Sequence, residues 1–539
     1  MPTGRVISLP NYGKVKCGKI TKAESCSVEV ENYFGIPFAK PPIGKLRFSA
    51  PQRAEPWAGI LCEKSVKKIP LQSVGSLNLS SNFRISKNIF SQKNATEDCL
   101  YLSIYAPSIR KSHPLPVMVW FYGGSFQMGP SVKFDATALA AMNEVIVVVP
   151  NYRVGIFGFL SLGHETECKG NMGLLDQLES LKWVKENIEY FGGDKNNVTI
   201  FGESAGGISV HMHMMSPLSA GYFHKAISHS GTANMPGVYF SDQQRIVTKL
   251  LESLNIKETD PSLVLHQLQN LPADQLVDYN AVQFRFGWYP TFDNHFFKTS
   301  PEMATVAKVP FLLGCNSDEG GWLMALTTPN FISGLSKQEF SHYARILLRK
   351  YDKTIDYNKA LPVLIMRYSR GLDVKDKMYY SNLYGRMMGD CIFVNRIIQT
   401  SQANSDKGVD TFLYFMSHPP LHKHGDGYGP LIARLPDHIG TDHADDIPFT
   451  FGLPFLPNSL KSGYRFSADE AKLSKNMMTF FTNFAKTGNP NKPLPLETEW
   501  PLYNSESRKH VEFTVPSIKV GSNLGQDKLH LYNKKLAKL

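Results

Sequence analysis

Asn197-Val198-Thr199-Ile200-Phe201-Gly202-Glu203-Ser204-Ala205-Gly206-Gly207 is the stretch whose reading decides the fold. It begins as an apolar β-type run and passes through a G-x-S-x-G pattern. It continues as a helical segment, Ala205 to Met215, which Pro217 closes. By composition alone the bare pattern would arise about 0.2 times in a chain of this length, so its frame carries the argument. Strand, sharp turn and helix form the frame in which such a serine acts as a nucleophile. Glycine is needed on both sides, because a Cβ there would collide with the neighbouring strand or helix. The turn lifts the serine oxygen into the open, and the helix N-terminus lies beneath it. There the N–H of Ala205 can face a developing oxyanion.

Working outward, Leu115–Phe121, Val145–Pro150, Val198–Phe201 and Val309–Leu313 read as near-continuous apolar strands, the pattern of strands covered on both faces. Between them lie helix-like segments such as Leu174–Phe191, with Leu175, Leu178, Leu181, Trp183 and Val184 on one face. This alternation predicts an α/β fold with a mostly parallel sheet and helices on both sides, its reactive groups at the carboxyl ends of strands. Residues 250–290 and 330–410 read as mixed helix and loop, material that commonly covers a pocket. The first hundred residues, rich in Pro and Gly turns, read as short antiparallel strands and loops. No repeat, low-complexity segment or Gly/Ser linker divides the chain, so residues 1–539 are read as one domain.

A serine hydroxyl needs a base, and the base needs an orienting acid; in this fold type they follow in the order Ser, acid, His. Val309–Leu313 leads to Asp318 and Glu319, and spacing leaves both open. For the base, Thr411–Met416 is followed by a long loop carrying His422, His424, His438 and His443. His443 lies just before an apolar, helical stretch. Clustered His and Asp also suit a metal, but no helical H-x-x-x-H or H-E-x-x-H spacing accompanies them. His211 and His213, on the helix after Ser204, read as packing or solvent residues. Tyr122-Gly123-Gly124-Ser125-Phe126, directly after Leu115–Phe121, reads as the loop whose N–H groups would approach a tetrahedral oxygen.

Composition agrees with a folded globular chain. The 539 residues are 42% hydrophobic, 12% aromatic and 19% charged, which excludes disordered, collagen-like and coiled-coil classes. The formal charge of +11 is spread along the chain without a run of five Lys or Arg, so it reads as a solvated surface and not as a nucleic-acid site. No apolar run approaches the ~18 residues that span a bilayer. Seven cysteines without a C-x-x-C exclude a disulfide scaffold. The first twenty residues hold no apolar core of a secretory signal, and the chain ends Ala537-Lys538-Leu539, close to a peroxisomal address. A cytoplasmic or peroxisomal protein is expected, with secretion or the endoplasmic reticulum as the alternative for an incomplete N-terminus.

Several blocks, in order, resemble one family. They include Tyr33-Phe34-Gly35-Ile36-Pro37-Phe38-Ala39, Glu97-Asp98-Cys99-Leu100-Tyr101-Leu102, Asn151-Tyr152-Arg153, Gly158-Phe159, Phe191-Gly192-Gly193-Asp194 and Asn483-Phe484-Ala485-Lys486-Thr487-Gly488-Asn489-Pro490. With Gly202–Gly207 they look like the type-B carboxylesterases and lipases of the α/β-hydrolase fold, related to cholinesterases. Asp442–Ile447 is most similar to bile-salt-activated lipases; Thr199–Gly207 and Phe223–Ser228 fit broad-specificity carboxylesterases equally well.

The resemblance implies a serine hydrolase that cleaves small-molecule carboxylic esters through an acyl-enzyme, without cofactor or metal. It assigns Ser204 as nucleophile, Glu319 as acid and His443 as base, with oxyanion donors at Gly124, Ser125 and Ala205. The family usually has Gly or Ala at 125; serine keeps the N–H and adds a hydroxyl, expected to alter acyl preference or slow turnover. Arg47 with Glu97 and Arg153 with Asp176 resemble its internal ion pairs. The family's first disulfide would need a cysteine near Pro70 to meet Cys99, and Cys62 stands eight residues away; its second has no cysteine between 250 and 270. Asn78, Asn94 and Asn197 lie in N-x-S/T sequons, of consequence only on export. Ile89 stands where cholinesterases carry the aromatic for choline, so acetylcholine is not the expected substrate. The rival readings are a long-chain lipase or acyl-CoA thioesterase and, outside enzymes, a neuroligin-like binding protein.

Overall fold

In a computed structural model of the 539-residue chain, the residues described are 4–24, 26–72, 94–109, 112–239, 243–282, 287–299, 304–351, 355–423, 439–458 and 465–525. Asn78, Ile89, His424, His438 and Ala537-Lys538-Leu539 lie outside them. Eleven strands form the main sheet. They are β1 (Lys19–Lys22), β2 (Glu29–Pro37), β3 (Tyr101–Pro107), β4 (Leu115–Phe121), β5 (Ile146–Pro150), β6 (Gly193–Glu203), β7 (Lys225–His229), β8 (Phe311–Asn316), β9 (Thr411–Met416), β10 (Lys509–Phe513) and β11 (Lys519–Ser522). The spatial order is β11-β10-β9-β8-β7-β6-β4-β5-β3-β2-β1. Every pair from β5 to β10 is parallel, and antiparallel strands finish both edges. A small second sheet pairs Val6–Leu9 antiparallel with Gly13–Lys16, and Ile60–Leu61 adds to the latter in parallel.

Apolar runs such as Leu115–Phe121 form central strands because alternate residues feed two different cores. Val117, Val119 and Phe121 pack on one face with the helices Met172–Asn187 and Ala205–Met215. Met118 and Trp120 pack on the other with Phe451, Phe480 and Phe481, the last two from the helix Ala468–Thr487. A third cluster, drawn largely from helices between 320 and 391 and including Ile439, packs against Met128 and Trp322. Its helices come from the 330–410 stretch read as mixed helix and loop, together with the helix Gly320–Thr327.

The order of strands reverses beside β4, which has β5 on one flank and β6 on the other. The carboxyl ends of β4 and β6 therefore open on a switch point, where open α/β sheets leave a crevice. In-register pairing of Phe121 with Gly202 brings the Gly123-Gly124 loop beside Ser204.

Candidate active site

Ser204 joins β6 to the helix Ala205–Met215 with φ 55° and ψ −122°, a sparsely populated conformation that costs on the order of 1–3 kcal/mol. Two bonds hold it: Ser204 N–H donates to His229 O at 2.9 Å, and Ile208 N–H donates to Ser204 O at 2.8 Å. The glycines are steric requirements. A Cβ on Gly206 would run into Phe121 O, and one on Gly123 would stand 2.7 Å from Glu203 Oε2 and 3.0 Å from Ser204 Cβ. The loop after β4 thus lies against the serine. Gly124 and Ser125 both have positive φ, at 106° and 56°. Gly124 O accepts from Gln127 N and Met128 N, closing the turn, and buried Gln127 ties it through hydrogen bonds to the backbone of Trp288. Ala205 opens its helix, where first-turn N–H groups lack an intrahelical acceptor.

Glu319, fully buried, follows β8. Its Oε1 accepts from Asn316 N at 2.7 Å and from Ser230 Oγ; its Oε2 lies 2.6 Å from His443 Nδ1. Asp318, left open by spacing, instead accepts from Ser317 Oγ at 2.7 Å, and its N–H donates to Thr441 O. The acid's loop and the histidine's loop are further joined because Asn316 Nδ2 donates to Asp442 O at 2.7 Å. The imidazole of His443 has two rings beside it, Phe393 at 4.7 Å and Trp322 at 6.0 Å between centroids. Phe393 belongs to a π-helical turn, Asp390–Val394.

A serine served by His443 as its base would meet it in hydrogen-bonding contact, and that bond is not formed here. Among the described residues Ser204 Oγ makes no hydrogen bond. The side of His443 carrying Nε2 is shared with Glu203, whose Oε1 lies 3.0 Å away but without hydrogen-bond alignment. Catalytic bonds are often loose before substrate arrives. Burial pushes Glu203 up to about 8, against the opposing pull of His443. Burial pushes His443 down, but the charges of Glu203 and Glu319 outweigh it and lift the imidazole to about 10. Asp442 is raised to about 7, chiefly by burial.

His211 and His213 are packing residues. Both are buried, burial lowers each to about 3, and His213 bonds Ser219 Oγ and Gln177 Oε1. The expected ion pairs form: Arg47 and Arg153 each grip a carboxylate with two nitrogens, at 2.6 and 2.8 Å to Glu97 and at 2.8 Å twice to Asp176. All seven cysteines are free. Asn197 is engaged internally, with Lys225 Nζ and Lys486 O. Sequence reasoning passed over Glu203, Ser230, Trp322 and Phe393. Glu203 was in view inside the serine motif, whereas the others occupy positions without a short pattern.

A mostly parallel sheet with a serine in a strained turn at the carboxyl end of a central strand defines an α/β-hydrolase. Comparison with known proteins gives the family. The Carboxylesterase family model matches residues 4–532. The chain is 33% identical to carboxylesterase 1F of Mus musculus, over 98% of this chain and 93% of that protein. It is 34% identical to the pyrethroid hydrolase Ces2e of Rattus norvegicus, over 97% and 88%. Against the medium-chain fatty acyl-CoA hydrolase precursor of Anas platyrhynchos it is 33% identical, over 92% and 87%. The chain belongs to the carboxylesterase family and is a carboxylic ester hydrolase of the serine type. No helix among the described residues is long and apolar enough to cross a membrane.

Proposed function

We propose that Ser204 attacks the ester carbonyl, that His443 accepts its proton, and that Glu319 holds the imidazole with Nδ1–H directed at Oε2. The observation that carries this reading is the 2.6 Å contact between Glu319 and His443 beside the strained Ser204 turn. In the first step Ser204 Oγ bonds to the acyl carbon, and the ester C–O bond breaks as His443 returns the proton to the leaving alcohol. Water then repeats the sequence, releasing the acid and restoring the serine. The N–H groups of Gly124, Ser125 and Ala205 are the donors for the oxyanion of both tetrahedral intermediates. Removing one such donor costs about 10²–10³ in kcat in a comparable site.

The aromatic rings of Trp322 and Phe393 beside the His443 imidazole support a small-molecule ester with an apolar portion as the substrate. Ser204→Ala should lower turnover of p-nitrophenyl butyrate by at least about 10³ with the fold retained. Retained turnover in that variant, or no fluorophosphonate labelling of the native chain, would overturn the assignment of Ser204 as the nucleophile. Rates on short-chain p-nitrophenyl esters, triolein and palmitoyl-CoA then assign the acyl class.

A further inference from the structure

The carboxyl end of β7 touches all three segments of the proposed site, and a second buried histidine makes two of those contacts. His229 and Asp446 are completely buried. His229 Nδ1 lies 2.8 Å from Asp446 Oδ2 and 2.8 Å from Tyr414 OH, and Tyr414 OH donates to the same Asp446 oxygen at 2.8 Å. With the phenol donating to Asp446, Nδ1–H donates to that carboxylate as well. His229 Nε2 has no hydrogen-bond partner and faces rings, with Phe481 at 5.1 Å edge-on and Trp120 at 6.2 Å. The ring is thus bound on one side only, to Asp446, three residues beyond His443. Asn316 Nδ2 contacts the other Asp446 oxygen at 3.4 Å. On its backbone, His229 accepts the N–H of Ser204 at 2.9 Å. The next residue, Ser230, donates to Glu319.

We infer that His229 is a positioning residue: through its carbonyl it fixes the Ser204 turn, and through Nδ1 and Asp446 it fixes the loop that carries His443. The inference rests on the assignment of Ser204 and His443 given above. One residue thus touches the backbone of the nucleophile and the side chain of Asp446 on the loop of the base, so the His229–Asp446 bond contributes to setting the separation between the two segments. A shift of about 1 Å between reacting groups can cost 10²-fold in rate. Binding of a small ester does not depend on that separation.

The test compares His229→Leu, which removes the donor, with His229→Asn, whose amide nitrogen stands near the place of Nδ1. Active sites are counted with a fluorophosphonate, and kcat and KM for p-nitrophenyl butyrate are measured per titrated site. His229→Leu should lower kcat about tenfold or more with KM within about twofold, and His229→Asn should recover kcat to within about threefold of wild type. Asp446→Asn, which removes the charge that accepts Nδ1–H and keeps the shape, should lower kcat about threefold and decides the matter where His229→Leu does not fold. Equal kcat per site in His229→Leu and wild type overturns the inference even if Tm falls. Equal damage in the Leu and Asn variants, or unchanged kcat in Asp446→Asn when His229→Leu fails to fold, also overturns it. Ser204→Ala is run alongside: turnover retained there would remove the triad assignment itself, a distinct failure.

Discussion

At the scale of single residues, the chemistry depends on what surrounds His443. A base must be unprotonated to accept the serine's proton, so the acidic limb of the rate profile follows the pKa of the imidazole and its neighbours together. Glu203 and Glu319 both lift His443, and Glu203 does so from the Nε2 side without a formed hydrogen bond. Glu203→Gln removes one negative charge and keeps the shape. The imidazole then loses its proton at lower pH, and the acidic limb of kcat/KM should move to lower pH. A pH series with p-nitrophenyl butyrate checks this; a limb that stays in place would exclude Glu203 from the electrostatics of the base. Legibility at this scale was uneven for physical reasons. Ser204 could be read because its turn demands glycine in a short, fixed pattern. Asp318 and Glu319 are adjacent, and only the fold reveals that one turns to Ser317 and the other to His443. His443 could not be told from its neighbours by spacing, because the loop carrying it is long.

At the scale of elements, the strand–turn–helix at Ser204 sits against β4 with no room for a methyl group at Gly206. A Cβ there meets a backbone oxygen, Phe121 O, which cannot swing aside as a side chain can. Gly206→Ala must therefore displace the helix or the strand, at a cost of about 1–3 kcal/mol. Tm should fall, and kcat should fall further than the loss of folded protein explains, since Ser204 moves with its helix. Thermal unfolding together with kcat per titrated site separates the two effects. The elements themselves were largely legible. Leu115–Phe121 and Thr411–Met416 appear with the bounds read from the apolar runs, and Leu174–Phe191 appears as the helix Met172–Asn187 followed by a 3₁₀ turn. The π-helical turn at Asp390–Val394, which presents Phe393 to the imidazole, was not legible. Nothing in its composition distinguishes it from the α-helices on either side.

At the scale of the whole molecule, the parallel order of β5 to β10 was implied by strand–helix alternation, while the place of each strand was not. Spatial order is set by which helix covers which face, and a local period does not encode that choice. The crossover from β5 to β6 passes through the helix Met172–Asn187, so the switch point depends on how that helix is anchored. Arg153 anchors it. Its backbone N–H, Nε and Nη2 all bond Asp176, at 3.0, 2.8 and 2.8 Å, and both side chains are buried. Replacing Arg153 alone leaves the Asp176 charge in the core without its partner, and such losses cost about 3–5 kcal/mol. Arg153→Met should therefore lower the urea midpoint without a change in slope, whereas Arg153→Met with Asp176→Leu should regain much of the loss by removing the stranded charge. If the double variant is no more stable than the single one, the pair contributes through packing shape and not through charge. The position of the switch-point helix would then rest on the apolar face of Leu174, Leu178 and Leu181.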